Sequence, residues 1–313
     1  MSEQQSGSGP WRPAIWTLGG IPKKNIDIPI TAVFLFLFIL GAATHMTILQ
    51  YNNRRGHKFL FNGMLFGFCM TRITTCTIRI ASIALPSNIR LALAAQIFVA
   101  AGIVLVFVIN LIWSQRILRA HHHFGWHRSI HWAFIALYVL IVLTLAVVIT
   151  AVVQSYYTLN PHTRSIDRAL QLYGGTLFAV ISFLPIVIIG TAVILSHVSK
   201  RDVEKFGHGR HRTRIVTLLI GATLCCLGAA FRAGTSWMSP VPLAGTEPAY
   251  YHRGWFYVMN FGIEILVVYF YAVMRVDLRF WVPNGAKGPG SYRGVEVVKG
   301  KEEGSLAETE SEV

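Results

Sequence analysis

The chain has 313 residues, of which 53% are hydrophobic and only 13% charged, and its mean hydropathy is +0.51. Soluble domains carry about a quarter of their residues charged, so this balance excludes an ordinary soluble fold and points to a polytopic membrane protein. A net charge of +14 would suit nucleic-acid binding, but membrane proteins concentrate basic residues in cytoplasmic loops, and the distribution here follows that rule.

Residues 1–27 are polar and lack the short basic-then-apolar pattern of a cleaved signal peptide. The first apolar segment, 28–50, therefore serves as both targeting signal and anchor, with residues 1–27 as an extracytoplasmic segment. His45, near the inner end of that span, reads as a packing residue. The second segment, 59–85, is long enough to cross a bilayer yet carries Arg72 and Arg79 in its interior. The two arginines are a heptad apart and share one helix face, with Cys69 and Cys76 at the same spacing and Asn62 a heptad before Cys69. The roughly opposite face carries Gly63 and Gly67, a small-xxx-small pair that lets a neighbouring helix approach closely. This predicts a central helix buried on both sides.

The third span covers 88–114. It is followed by a loop with His121, His122 and His123, and by His127 and His131 one turn apart at the start of the fourth span, 129–153. An i, i+4 histidine pair has metal-ligand spacing, but no acid or cysteine is near it in sequence, and no metal or other cofactor is assigned. The fifth span, 170–197, contains Pro185, where a kink is expected. The sixth, 215–238, is interrupted by Arg232 toward its outer end. The seventh, 252–275, holds Glu264, the one acid within a span. On it, Tyr257, Asn260, Glu264 and Tyr271 form a polar stripe by i+3, i+4 and i+7 spacing. The tail 281–313 reads as disordered and cytoplasmic. Its last residues, Ser311-Glu312-Val313, fit a loose pattern for carboxylate capture by a peptide-binding domain. The four cysteines all lie in apolar segments, so no disulfide framework and no zinc-type spacing is suggested.

With the N-terminus outside, 18 of the 28 basic residues fall in cytoplasmic pieces, 7 on the opposite side, and Arg72, Arg79 and Arg232 within spans. The asymmetry predicts N-out, C-in, and a multi-pass protein of the plasma membrane rather than internal membranes. Cations at membrane depth cost at least about 2.5 kcal/mol each on insertion scales, so they need partners. At about 1.5 Å per residue from the cytoplasmic ends, Arg72 lies ~20 Å deep and Glu264 ~17 Å, whereas Arg232 lies ~26 Å and Arg79 ~30 Å deep. An intramembrane Arg72–Glu264 pair is predicted, with Asn260 helping to satisfy the guanidinium. Arg79 and Arg232 are left without an acid, in a water-accessible cavity opening outward. Three readings of these charges stand: a register-fixing salt bridge, an anion or lipid-headgroup site at Arg79, Arg232, Asn260 and Tyr257, or a proton-coupled switch at Glu264.

Several motifs resemble a fungal family of seven-span membrane proteins of unknown function: Gly19-Gly20-Ile21-Pro22, Asp27-Ile28-Pro29, Gly56-His57-Lys58-Phe59, the Arg72/Arg79 helix, the Asn88-to-Arg119 stretch, and Glu264 followed by Arg275-x-Asp277-x-Arg279-Phe280. The likeness covers roughly 19–283 and implies topology with almost no biochemistry. A looser likeness, in the late arginine and acid-bearing last helix, is to the fungal lipid-translocating exporter (resistance-to-aminocholesterol) group, and implies lipid or stress-related transport.

The sequence thus predicts an all-α, seven-helix membrane bundle without enzymatic activity. Its expected partners are membrane lipids or a small amphiphilic or anionic ligand, not nucleic acid. A receptor signalling through the basic loop Lys200–Arg214 is the alternative, and a structural scaffold the second. Against the receptor, the third span ends Trp113-Ser114-Gln115-Arg116 without an acid-Arg-aromatic triplet. The seventh has neither an Asn-Pro-x-x-Tyr turn nor a lysine for a retinal Schiff base.

Overall fold

A computed structural model describes residues 9–56, 59–199, 203–283, 285–286 and 288–293. It is helical, and among the described residues the only β pairing is an isolated bridge between Ile15 and Pro242. The helices are α1 (Lys24–Arg54), α2 (Leu60–Ala84), α3 (Ile89–Gly102), α4 (Val104–His121), α5 (Arg128–Tyr157), α6 (Pro161–Ser199) and α7 (His211–Trp237). The last long helix is a composite of α8 (Arg253–Phe256), a π-helical turn (Tyr257–Gly262) and α9 (Ile263–Val273). Arg275 then turns the chain with a positive φ of 47°, and α10 (Val276–Arg279) follows.

Local chemistry sets the ends. Asp27 in the first turn of α1 accepts the Lys23 backbone N–H at 2.6 Å, so a carboxylate both caps the helix and faces its positive dipole end. Asn88 caps α3 through the Leu91 N–H, and His127 caps α5 through the Ser129 N–H. Pro161 opens α6, where its missing N–H costs nothing. That helix continues through Pro185 to Ser199.

Among the described residues six helices are long and apolar enough to cross a membrane: α1, the α3–α4 unit Ile89–His121, α5, α6, α7 and the last helix. The chain is a multi-pass membrane protein by that measure. Helix α2 is not among them, so six of the seven expected spans meet that measure. Its two arginines and the threonines at 71, 74, 75 and 77 dilute its apolar content. Several spans also outrun their expected limits: α1 starts at Lys24, α4 runs to His121, and α6 starts at Pro161.

The central helix is the last one. Its apolar stretch is 61% buried, against 22% to 44% for the other five candidates. Helix α2 is buried on one face only, through Phe61, Leu65, Phe68, Cys69, Arg72 and Cys76, while Leu60 and Met70 are exposed. The expected glycine notch on α2 does not form. A Cβ on Gly63 would meet only Leu49 at 3.5 Å, and one on Gly67 would meet nothing within 4 Å. Gly67→Ala is therefore expected to be neutral or to stabilise by up to about 1 kcal/mol through helix propensity, read as the thermal midpoint in detergent. A loss above that size would show a helix seated on this face.

At one end of the bundle, residues 11–20 strap across the helix ends. The Trp11 N–H donates to Tyr156 O, Trp16 N–H to Val241 O and Gly19 N–H to Tyr251 O. Gly19, at φ 98°, lies against the Phe256 ring with no room for a side chain. At the other end Trp113 stacks on Phe280 at 4.5 Å, and Tyr292 packs on Trp126 and Phe206. The part of the tail that is described is therefore folded against the bundle, with Tyr292 only 5% exposed, contrary to the expectation of disorder from 281 onward. The Ser311-Glu312-Val313 motif, and Lys58, Lys200 and Arg201 of the basic loops, lie outside the described residues.

Candidate functional site

The stripe on the last helix becomes a ladder of polar contacts along the bundle core. Toward the strapped end, the Tyr257 hydroxyl is 3.0 Å from Asp27 Oδ1 and 3.0 Å from Thr31 Oγ1, while Arg253 donates to Asp27 Oδ2 at 3.2 Å. One turn along, Arg232 Nη1 donates to Asn260 Oδ1 at 3.2 Å. Next, Arg72 Nη2 meets Glu264 Oε1 at 2.5 Å. Beyond that, Tyr271 donates to Asn110 Oδ1 at 2.6 Å, and the Asn110 amide points to Cys225 Sγ at 3.7 Å. Each polar side chain of the stripe has a partner because it lies inside the bundle, where an unpaired donor or acceptor would cost about 1–3 kcal/mol. The π-helical turn spans Tyr257 to Gly262, within the stripe; such turns occur often at functional sites.

Arg72 and Glu264, 0% and 1% exposed, form the deepest ion pair. The guanidinium also donates from Nη1 to the carbonyls of Phe98 and Val99, at 2.9 and 3.1 Å. Those carbonyls are accessible because the third span is broken between Gly102 and Ile103, where the Ile103 N–H turns to Ala101 O instead of Val99 O. Gly102 makes the room: a Cβ there would stand 2.8 Å from Arg72 Cζ and Nη1. A continuous third span was expected, and its one weak signal was the glycine in an otherwise apolar run. Asn260 was expected to help Arg72; it serves Arg232 instead.

Arg232 was expected to lack an acid. It lies 4.0 Å from Glu264 Oε1 and is 22% exposed. The length of the arginine side chain spans the difference in depth counted from the two span ends.

Arg79 is placed differently. Its guanidinium lies over the Phe256 ring at 4.0 Å and the Tyr257 ring at 5.5 Å. Its Nε has no hydrogen-bond partner, and among the described residues Arg79 makes no ion pair. Cation–π contact is worth ~0.5–2 kcal/mol, less than a buried carboxylate would give. The structure thus separates the expected Arg79, Arg232, Asn260 and Tyr257 cluster into two adjoining rungs, Arg79 on Tyr257 and Arg232 on Asn260. Phe256, under Arg79, is covered by Gly19 of the N-terminal strap.

Sequence reading missed Asp27, which is 0% exposed. It was assigned to the polar segment because the apolar run begins at Ile28. The signal for it was an acid followed four residues later by Thr31, as expected in a first helical turn. At the other end, Asn52 donates to Asp277 Oδ2 at 2.9 Å and Arg275 pairs with the same carboxylate. Burial raises the Asp277 carboxyl, but the bonds from Arg275 and Asn52 outweigh it and hold the group below its ordinary value. His45 is buried with Nε2 3.1 Å from Val268 O. Among the described residues no group of three or more His, Cys, Asp or Glu comes together as a metal site. His127 is occupied as the α5 cap.

Formally, the interior holds Arg72, Arg79 and Arg232 against Glu264, an excess of two positive charges, with Arg253 and Asp27 neutralising each other at the strapped end. Residues 202–281, which carry α7 and most of the ladder's acidic helix, match the model of a family described as protein of unknown function (DUF3112). No curated protein and no solved structure matches the chain.

Proposed function

We propose that this chain is a non-enzymatic integral membrane protein that binds or moves an anionic or amphiphilic molecule, a lipid headgroup foremost. The ligand is held by Arg79 and Arg232, with Tyr257 and Asn260 as the polar groups beside them. The observation that carries this reading is the charge imbalance on the ladder. Arg72 takes the near oxygen of Glu264, Arg232 shares it at 4.0 Å, and Arg79 has the Phe256 and Tyr257 rings and the Tyr257 hydroxyl beside it but, among the described residues, no acid. Guanidinium groups at membrane depth are stabilised by a counter-anion, and their planar fork suits phosphate or carboxylate oxygens.

The same reading takes α2 as a seventh span, with the N-terminus outside. At 25 residues it is about 37 Å long, enough for a hydrocarbon core of ~30 Å. It joins α1 to α3 through short connections, so if both neighbours cross the membrane α2 has to cross back between them. The basic-residue asymmetry orients the bundle.

Native mass spectrometry of the purified protein is the test. Wild type is expected to retain lipid that Arg79→Ala/Arg232→Ala loses, and Arg79→Lys/Arg232→Lys is expected to retain part of it. Equal retention in wild type and the double alanine variant would remove the site.

A further inference from the structure

At the end of the bundle opposite the N-terminal strap, a second group of cations is gathered without an acid. Arg214, in the first turn of α7, is 2% exposed. Its Nη2 donates to Gly209 O at 2.9 Å and its guanidinium stacks over Phe206 at 4.6 Å, but Nε and Nη1 are buried with no partner. Arg279, whose Nε donates to Met274 O at 2.5 Å, brings its Nη1 to 3.1 Å from where a Cβ on Gly209 would stand. The nearby charge acting on Arg214 is Arg279, a second cation. Neither arginine forms an ion pair among the described residues; Asp277 is taken by Arg275, and Glu204 accepts from the Gly290 N–H.

The helix end itself adds positive potential. Arg210, at the N-cap of α7, makes no side-chain cap, and the first turn contains no acid. A helix N-terminus favours anions and disfavours cations, yet this one begins His211-Arg212-Thr213-Arg214. His211 donates or accepts at Nε2 with His121 at 3.1 Å, and its Nδ1 is buried without a partner. The Phe206–Arg210 loop is fastened to the last helix by the bond from His208 N–H to Leu278 O. Gly207 could carry no side chain there, because its Cβ would meet Arg279 O. The two guanidiniums are thereby held in one register across a loop of little bulk.

We propose that this site binds a phosphate monoester, held by Arg214 and Arg279 at the N-terminus of α7. Two fixed cations and a helix N-terminus match the charge of about −1.5 to −2 and the three oxygens of a monoester, whereas a phosphodiester or carboxylate supplies one charge. The source is either a monophosphorylated lipid headgroup or a soluble phosphate ester. This site is separate from the Arg79–Arg232 rungs and does not depend on them.

The test uses the full chain in nanodiscs of phosphatidylcholine alone, with phosphatidylglycerol, or with phosphatidylinositol 4-phosphate, and the phosphatidylcholine discs are also titrated with phenyl phosphate. The thermal midpoint is expected to rise with the inositol phosphate lipid or with phenyl phosphate, and not with phosphatidylglycerol, a diester anion. The first result assigns a lipid and the second a soluble ester. Arg279→Gln, at a partly exposed position, is expected to weaken the effective affinity at least about tenfold, as is Arg214→Gln if it folds. An equal response to phosphatidylglycerol, no response to either monoester, or an undiminished response in Arg279→Gln would overturn the proposal.

Discussion

Glu264→Gln is expected to lower the stability of the protein by about 3–5 kcal/mol, the usual cost of removing one partner of a buried ion pair. The carboxylate is 1% exposed and its Oε1 serves Arg72 at 2.5 Å and Arg232 at 4.0 Å. A neutral amide keeps the shape but leaves two guanidiniums facing a dipole. The reverse substitution, Arg72→Gln, is expected to cost less. It leaves Glu264 with Arg232, and the Phe98 and Val99 carbonyls can accept from the new amide. Removing both charges in Arg72→Gln/Glu264→Gln should cost less than the sum of the single changes, because Arg72 is then no longer a cation facing a neutral partner, and only Arg232 is left without its acid. Thermal and denaturant unfolding of the four proteins in one detergent gives the cycle. Additive losses, or a Glu264→Gln effect below about 1 kcal/mol, would show that the pair contributes no coupling energy.

What could be read from the residues, and what could not, divides along one physical line. Arg72 and Glu264 stand out because charge in an apolar run is costly wherever it lies, and matching their depths needs only the rise per residue. The stripe of Tyr257, Asn260, Glu264 and Tyr271 stands out for the same reason, since helical periodicity is local. The break at Gly102 does not stand out, because it is made by a contact: the guanidinium of another helix takes carbonyls that an unbroken helix would use. Nor does the identity of the central helix. The glycines of α2 look like a packing notch at small-xxx-small spacing, yet Gly67 faces open space, while Gly102 and Gly221 receive side chains from other helices. Spacing alone does not say which glycine a neighbour reaches. Asp27 lies just before its apolar run, and α1 starts earlier than that run, at Lys24. Its pairing with Arg253 follows from that extra turn, not from hydropathy.

Gly221→Ala carries the second large effect, and it separates a packing glycine from a merely permissive one. A Cβ at 221 would stand 2.0 Å from the Tyr271 hydroxyl oxygen and 2.6 Å from Cε1 and Cζ. Alanine in a helix interior gains up to about 1 kcal/mol over glycine, so the sign depends on whether Tyr271 can move. Tyr271 is 0% exposed, edge-on to Trp113 at 5.0 Å, and bonded to Asn110 at 2.6 Å. Withdrawing the ring disturbs Trp113 and, through it, Phe280 at 4.5 Å. It also leaves the Asn110 oxygen buried without its donor, a loss of about 1–3 kcal/mol, on top of ~1–3 kcal/mol for overpacking. The net expectation is a destabilisation of about 2–4 kcal/mol, opposite in sign to Gly67→Ala. Tyr271→Phe removes only the hydroxyl, so Gly221→Ala should cost less in that background than in wild type, with a remainder from Cε1 and Cζ. Unfolding midpoints for the two single variants and the double variant measure this coupling. If Gly221→Ala costs the same with and without the hydroxyl, the contact between α7 and the last helix is not formed by Tyr271 as described.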